Sequence, residues 1–546
     1  MTSTGGGAAT GAALVPTADH GAAPGGDGLR HRAVTGAFWT AAQKWLVRLS
    51  TLVAFVILGR LLSPVEFGVV ALAMTFINVL SVATDAGFSS WLIQKRNLTR
   101  QATSTAFWIS LLLGTALTGL LLASSGYLAT ALDSDELRLI LPALSLTMVV
   151  AGASSVPVAL LQREMDFRTL AIRQVTATTV SVVVAVVLAF AGAGVWALVG
   201  QHVVRVVLAG VILWSASRFR PQFAFVRADA REMTSYGAKS LGVHMGSSLR
   251  DQGSAFLIGA VLGTISLGYW TVANRLVNVV VDLCSSAVNS VAQPVFAKLQ
   301  DQASRRSAVF GRVAGASGLI TAPALVAMSL ASRDLVPWVF GEQWAPSADV
   351  AAVLTIAVLF TSLVAPHRAL LLGIGRPGTE LVLTLVAIAG QVVLILVLAD
   401  RGLVAVAAGL AAWAVVQYPL RAVVLRLRVG IKIRAHNQLL AVLLAAGLAA
   451  AAVLGVELLL DPEGLLGVLV VVVVGACVYL PGVYLLARPT VRDVVGSAVS
   501  VVRRRRGRVG PPAATANPTA APTGVPIANP TAAPTGVPVS ASSPPP

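Results

Sequence analysis

Long apolar runs separated by short polar segments dominate this chain. Apolar windows fall at 36–58, 67–85, 104–127, 138–161, 172–192, 194–217, 235–261, 265–292, 308–330, 347–372, 379–399, 402–424, 437–459 and 464–486. Each is about as long as the roughly 20 residues that cross 30 Å of hydrocarbon as a helix. The pattern predicts an all-α polytopic membrane protein with about 14 transmembrane helices, of which the seventh and eighth are the most polar.

The polar segments orient those spans. With the N-terminus placed inside, alternate segments hold 31 of the 40 Lys and Arg residues. The opposite segments hold only Arg60, Arg138, Arg333 and Arg401, together with acidic clusters such as Asp133/Asp135/Glu136 and Asp461/Glu463. That bias follows the positive-inside rule and predicts two cytoplasmic termini. It also accounts for the formal charge of +17 without a nucleic-acid partner, because the cations lie in short segments between apolar spans. Cys284 and Cys477 both fall inside apolar windows, so neither a disulfide framework nor a metal site is expected.

Domain organisation follows from the same pattern. Residues 1–32 read as a disordered Gly/Ala-rich tail, 33–217 as an N-terminal lobe of helices 1–6, and 218–430 as a C-terminal lobe of helices 7–12. Residues 431–487 hold two additional helices. Residues 488–508 form an amphipathic segment ending in a polybasic run, suited to anionic membrane lipids. Residues 509–546 repeat ANPTAAPTGVP and read as a disordered Pro/Ala/Thr tail.

The division into lobes rests on an internal repeat. GRLLSPVEFGVVALAMTFINV (59–79) aligns without gaps on GAVLGTISLGYWTVANRLVNV (259–279), matching Gly59 to Gly259, Gly68 to Gly268 and Asn78 to Asn278. The copies lie six spans apart. An even offset preserves orientation, so the halves are parallel repeats around an axis along the membrane normal, with a cavity expected between them.

Five cations remain at membrane depth: Lys44, Arg48, Arg205, Arg250 and Arg275. At 1.5 Å per residue, Arg48 lies about 18 Å from the start of its window. Deep carboxylates are fewer, namely Asp251 and Asp282, with Asp85 at a span end; His202 and His244 add switchable charge. Three readings stay open. Cations can pair locally, for example Asp282 with a cation on a neighbouring helix. They can bind an anionic substrate, since a guanidinium donates two parallel hydrogen bonds to phosphate. Finally, Asp85, Asp251, Asp282 or a histidine such as His244 can couple transport to ions or gate it. No phosphate-binding GxxxxGK[ST] motif is present, and no inter-span segment is long enough for a soluble catalytic domain, so enzyme activity is not expected and no cofactor is called for.

ALLQREMDFRTLAIRQV (159–175) followed by GVWALVGQ (194–201) resembles the hallmark region of the Wzx-like oligosaccharide flippases of the multidrug/oligosaccharidyl-lipid/polysaccharide (MOP) exporter superfamily. ILGRLLSPVEFGVVALA (57–73), QPVFAKLQD (293–301), GEQWAP (341–346) and LLGIGRPG (371–378) are similar to segments of that family, and the likeness runs from about residue 33 to 430. The resemblance implies two six-helix bundles around a cationic cavity plus two peripheral helices. It implies transfer of a polyprenyl-diphosphate-linked oligosaccharide between leaflets by alternating access, alongside a polysaccharide polymerase and glycosyltransferases, in a bacterial cytoplasmic membrane. Lys44 and Arg48 match the family's first-helix basic pattern by position; Arg205, Arg250 and Arg275 join them by depth. Arg163, Glu164, Asp166 and Arg168 lie in a connecting loop and are expected to make gate or interhelix contacts. The alternatives are a drug/cation antiporter of the same superfamily and an integral-membrane polysaccharide polymerase or ligase.

Overall fold

A computed structural model describes residues 26–85, 88–95, 97–300, 302–461, 464–493 and 496. The first half comprises α1 (Gly26–Leu61), α2 (Pro64–Asp85), the short α3 (Phe88–Gln94), α4 (Arg100–Ala131), α5 (Leu137–Arg163), α6 (Phe167–Phe190) and α7 (Val195–Ala216). The second comprises α8 (Arg227–Ala297), α9 (Ala303–Phe340), α10 (Ala345–Gly373), α11 (Pro377–Leu398) and α12 (Leu403–Val429). Helices α13 (Asn437–Leu460) and α14 (Leu465–Leu486) follow. Among the described residues, 13 helices are long and apolar enough to cross a membrane, and the protein is an all-α, multi-pass membrane protein. The 71-residue α8 covers both the seventh and eighth predicted windows. Its backbone leaves helical geometry at Gly263 (φ 83°, ψ 174°), a conformation that glycine adopts without a Cβ clash, so α8 is two helical limbs that meet at a kink where the sequence places the break between those windows.

One boundary differs from the sequence reading. Helix α1 begins at Gly26, so residues 26–32 extend the first helix rather than belonging to the tail; no proline interrupts them. Arg488–Asp493 are helical and Thr490 is buried, whereas the polybasic run and the repeat tail lie outside the described residues.

Within lipid, apolar burial does little to drive helices together, so close packing of small residues and hydrogen bonds do the work. On α4, Ala106, Ser110, Gly114, Thr118, Leu121, Ser125 and Ala129 recur every three or four residues and are all buried. Thr118 Oγ1 donates to the Ser145 carbonyl of α5 at 2.8 Å. The largest buried cluster joins the halves: Val69, Leu72 and Ile77 of α2 pack with Leu141 and Leu144 of α5, Ile258, Leu267 and Trp270 of α8, and Leu354 of α10.

At the end of the bundle where α1 meets α2, the repeat acquires a physical meaning. A Cβ on Gly68 would lie 1.8 Å from the Thr264 carbonyl oxygen, and one on Gly268 would lie 2.0 Å from that of Pro64. The contacts are reciprocal: Thr264 and Gly268 sit 200 positions beyond Pro64 and Gly68. Glycine is matched in the two copies because backbone meets backbone there. The adjoining turn is set by a capping box, in which Glu66 Oε2 accepts from Ser63 N at 2.7 Å while Ser63 Oγ accepts from Glu66 N at 3.4 Å.

The GEQWAP segment braces the same end. The fully buried Trp344 donates Nε1 to the Gly59 carbonyl at 2.6 Å, and Gln343 Nε2 donates to the carbonyls of Gly59 and Leu62. In return, Arg60 donates Nε to the Val339 carbonyl and Nη2 to that of Trp338, each at 2.6 Å. The C-terminal carbonyls of α1 and α9, which lack intrahelical partners, are thus satisfied by each other's neighbours.

Candidate functional site

Lys44, Arg48 and Thr51 recur at helical spacing along one side of α1. Arg275 and Asp282 stand two turns apart on the limb of α8 after Gly263. Where these sides meet, Arg48 Nη2 contacts Asp282 Oδ2 at 2.7 Å. Arg275 Nη2 donates to Thr51 Oγ1 at 3.2 Å, and that hydroxyl donates onward to the Arg48 carbonyl at 3.0 Å. Arg48 also lies 5.8 Å from the Trp45 ring centroid. The Arg48 and Asp282 side chains retain 30% and 56% of their exposure, so this pair is not sealed within protein. With Lys44 one turn away and exposed, the group carries three cations against one carboxylate.

The structure brings together four of the nine predicted residues, Lys44, Arg48, Arg275 and Asp282. The pairing that had been one of three open readings is observed for Arg48 and Asp282, and it leaves Arg275 held by a neutral hydroxyl. Arg205 finds its partner within α7, its Nη2 lying 2.9 Å from His202 Nδ1. Arg250 lies half-buried on the limb of α8 before Gly263. The side chains of Asp85, His244 and Asp251 lie outside the described residues. Sequence reasoning missed Thr51, since a threonine inside an apolar run gives no signal of its own.

Arg421 is buried on α12 and pairs with buried Glu380 of α11 at 2.9 Å; Thr384 donates to the other oxygen of that carboxylate. Glu380 is the only carboxylate near the start of its apolar window, and a carboxylate there demands a partner.

The QREMDFR loop makes interhelix contacts. Arg163 Nη1 donates to the carbonyls of Leu92 and Lys95, each at 2.6 Å, and Asp166 caps α6 by accepting from Thr169 N and Oγ1. Lys95 in turn reaches the start of α8, contacting Asp229 at 2.8 Å and Glu232 at 3.0 Å, while Trp91 Nε1 donates to Glu232. The bonds from Lys95 and Trp91 hold the Glu232 carboxyl below its usual range. Burial alone would lower Lys95, but its bonds to Asp229 and Glu232 and their negative charges outweigh that and raise it.

Residues 57–349 match the family described as polysaccharide biosynthesis protein. The chain belongs to that family. Among its relatives it is 27% identical over 301 residues to the succinoglycan biosynthesis transport protein ExoT of Rhizobium meliloti, a match covering 55% of this chain and 61% of the relative. It is 25% identical over 352 residues to the lipopolysaccharide biosynthesis protein WzxC of Escherichia coli, covering 64% and 71%. The matched portion thus spans under two thirds of the ExoT length. By structure it resembles the lipid II flippase MurJ in an inward closed conformation, with a TM-score of 0.66 and 12% identity over 84% of this chain and 100% of that one. A multidrug resistance MATE family transporter of the MOP superfamily follows at a TM-score of 0.56 and 16% identity, over 70% and 94%. These two share the fold. The family match and the shared fold agree with the resemblance read from the sequence.

Proposed function

We propose that this protein moves a polyprenyl-diphosphate-linked oligosaccharide from the inner to the outer leaflet of a bacterial cytoplasmic membrane by alternating access. The observation that carries this reading is the excess cation at the meeting of α1 and α8, where Arg275 rests on Thr51 with Asp282 already engaged by Arg48. A diphosphate is a dianion or more, and it competes for a guanidinium better than one carboxylate does. On its arrival Arg48 exchanges Asp282 for phosphate oxygens, Arg275 adds a second fork, and Lys44 offers a point charge one turn away. Arg205 and Arg250 supply further charge along the path. In this reading the end closed by Gly68 and Gly268 faces outward, and substrate arrives from the cytoplasm, where glycosyltransferases build it, once the Lys95 contacts at the opposite end part. A polymerase receives the product outside. An organic-cation antiporter has no use for this excess of positive charge.

The test is leaflet transfer of a fluorescent polyprenyl-diphosphate sugar in proteoliposomes at matched protein density. Arg48→Ala and Arg275→Ala are expected to slow transfer at least tenfold, each removing a charge-assisted contact of roughly 1.5–3 kcal/mol. Transfer at the unmodified rate in both variants would remove this group from the substrate path.

A further inference from the structure

Toward the end of α10 remote from Trp344, four rings meet where α9, α10, α12 and the turn 433–436 converge. Phe310 lies 5.0 Å from His367 and 5.2 Å from His436, between ring centroids. His367 lies 5.2 Å from Tyr418 and 5.6 Å from His436, and Tyr418 lies 5.9 Å from His436. His367 is 0% exposed, and neither of its ring nitrogens meets a partner with hydrogen-bond geometry; the buried Tyr418 hydroxyl also has none. The Leu363 carbonyl comes near one turn back, without the alignment of a bond. An imidazole stripped of water and of partners is costly to bury, and natural proteins retain such groups where something completes them.

We propose that His367 is a proton-binding site in the second half of the molecule, reached from the surface through His436 and completed by the Tyr418 hydroxyl, and that its charge biases which end of the bundle opens. His436 is half-buried, at the start of α13, and so bridges the aqueous edge and the buried ring. Ring centroids 5–6 Å apart bring the nitrogens and the phenolic oxygen within reach directly or through one water. The step is a proton gained by a neutral imidazole; no covalent bond breaks elsewhere.

Two features connect that proton to shape. Pro366 immediately precedes His367 and Pro419 immediately follows Tyr418, so α10 and α12 each lack a helical N–H beside the site and bend most easily there. Across the same contact stands Arg421, already paired with Glu380 of α11. A second cation on His367 repels Arg421 and favours a different seating of α10 on α12. Other charged groups on the surrounding elements are engaged or exposed: Arg306 of α9 gives Nη2 to the Gln300 carbonyl, while Arg312 and Arg368 are exposed. Among the described side chains, the start of α13 offers Asn437 and Gln438 beside His436.

This inference rests on the transport reading for its consequence, but its test contains no sugar lipid, so the two fail separately. Spin labels at Leu61→Cys and Val261→Cys, exposed positions 200 residues apart beside the Gly68–Gly268 contact, report opening of that end in full-length protein lacking Cys284 and Cys477. In nanodiscs, the ratio of short to long distances is expected to shift as the pH is lowered from 8 to about 4, because burial beside Arg421 works against charging the ring at neutral pH. His367→Gln should freeze the ratio, and Tyr418→Phe should move its midpoint while keeping the shift. A His367→Gln variant that titrates like its parent, or a parent indifferent to pH, overturns the proposal. Should His367→Gln not fold, an unmoved midpoint in Tyr418→Phe overturns it equally.

Discussion

Thr51 decides how the charged residues at membrane depth are arranged. Its hydroxyl receives Arg275 and is itself anchored on the Arg48 carbonyl, so one neutral group fixes the spacing of two cations that would otherwise repel. Thr51→Val keeps the shape and removes only that hydroxyl. Stability is expected to change by about 1 kcal/mol or less, while the substrate density needed for half-maximal transfer rises roughly fivefold to tenfold. Initial rates against lipid-linked sugar density in proteoliposomes measure this, and an unchanged curve would exclude Thr51 from the site. The charged members of this group were legible in sequence because a cation or carboxylate inside an apolar run is conspicuous. Thr51 was not, because threonine is equally at home as filler. Nor was the burial of Arg421, because the span pattern reads each helix alone and cannot show that α12 turns that side chain toward Glu380 on α11.

At the scale of elements, the contact between Lys95 and the start of α8 ties the first half to the second at the end remote from Gly68. Its pH dependence follows from the two shifts. Glu232 is lowered, so its contribution is present above the ordinary glutamate value of about 4.3 and is lost as pH falls through its folded-state value. Lys95 is raised, so its contribution is complete below about 10.4 and is lost as pH rises through its folded-state value. The melting-temperature difference between the parent and Lys95→Met is therefore expected to be flat between about pH 5 and pH 10 and to shrink on either side. A difference that ignores pH throughout would assign the contact to packing of the Lys95 stem and not to its ammonium, which lies 4.4 Å from the Trp91 ring centroid. Span positions were readable from hydropathy because each helix carries its own apolar run. The break between the limbs of α8 was readable too, because Gly263 between two apolar runs marks the kink that its backbone makes.

Across the whole molecule, the reciprocal meeting of Gly68 with Thr264 and of Gly268 with Pro64 has the geometry of an isologous interface, in which one patch meets its own copy about a two-fold axis. Such interfaces belong to homodimers. A fusion of two subunits into one polypeptide would leave this reciprocity, with the link between α7 and α8 keeping the halves at high effective concentration. Cutting that link between Ala224 and Phe225, where the backbone is not helical, should leave two fragments that copurify when expressed together and retain transfer activity. Fragments that fail to associate would show that the link itself shapes the interface. If they associate, each side of the Gly68–Gly268 contact is free to diverge alone. One half could then specialise in the lipid-linked anion and the other in whatever drives its passage, an asymmetry closed to a dimer of identical chains.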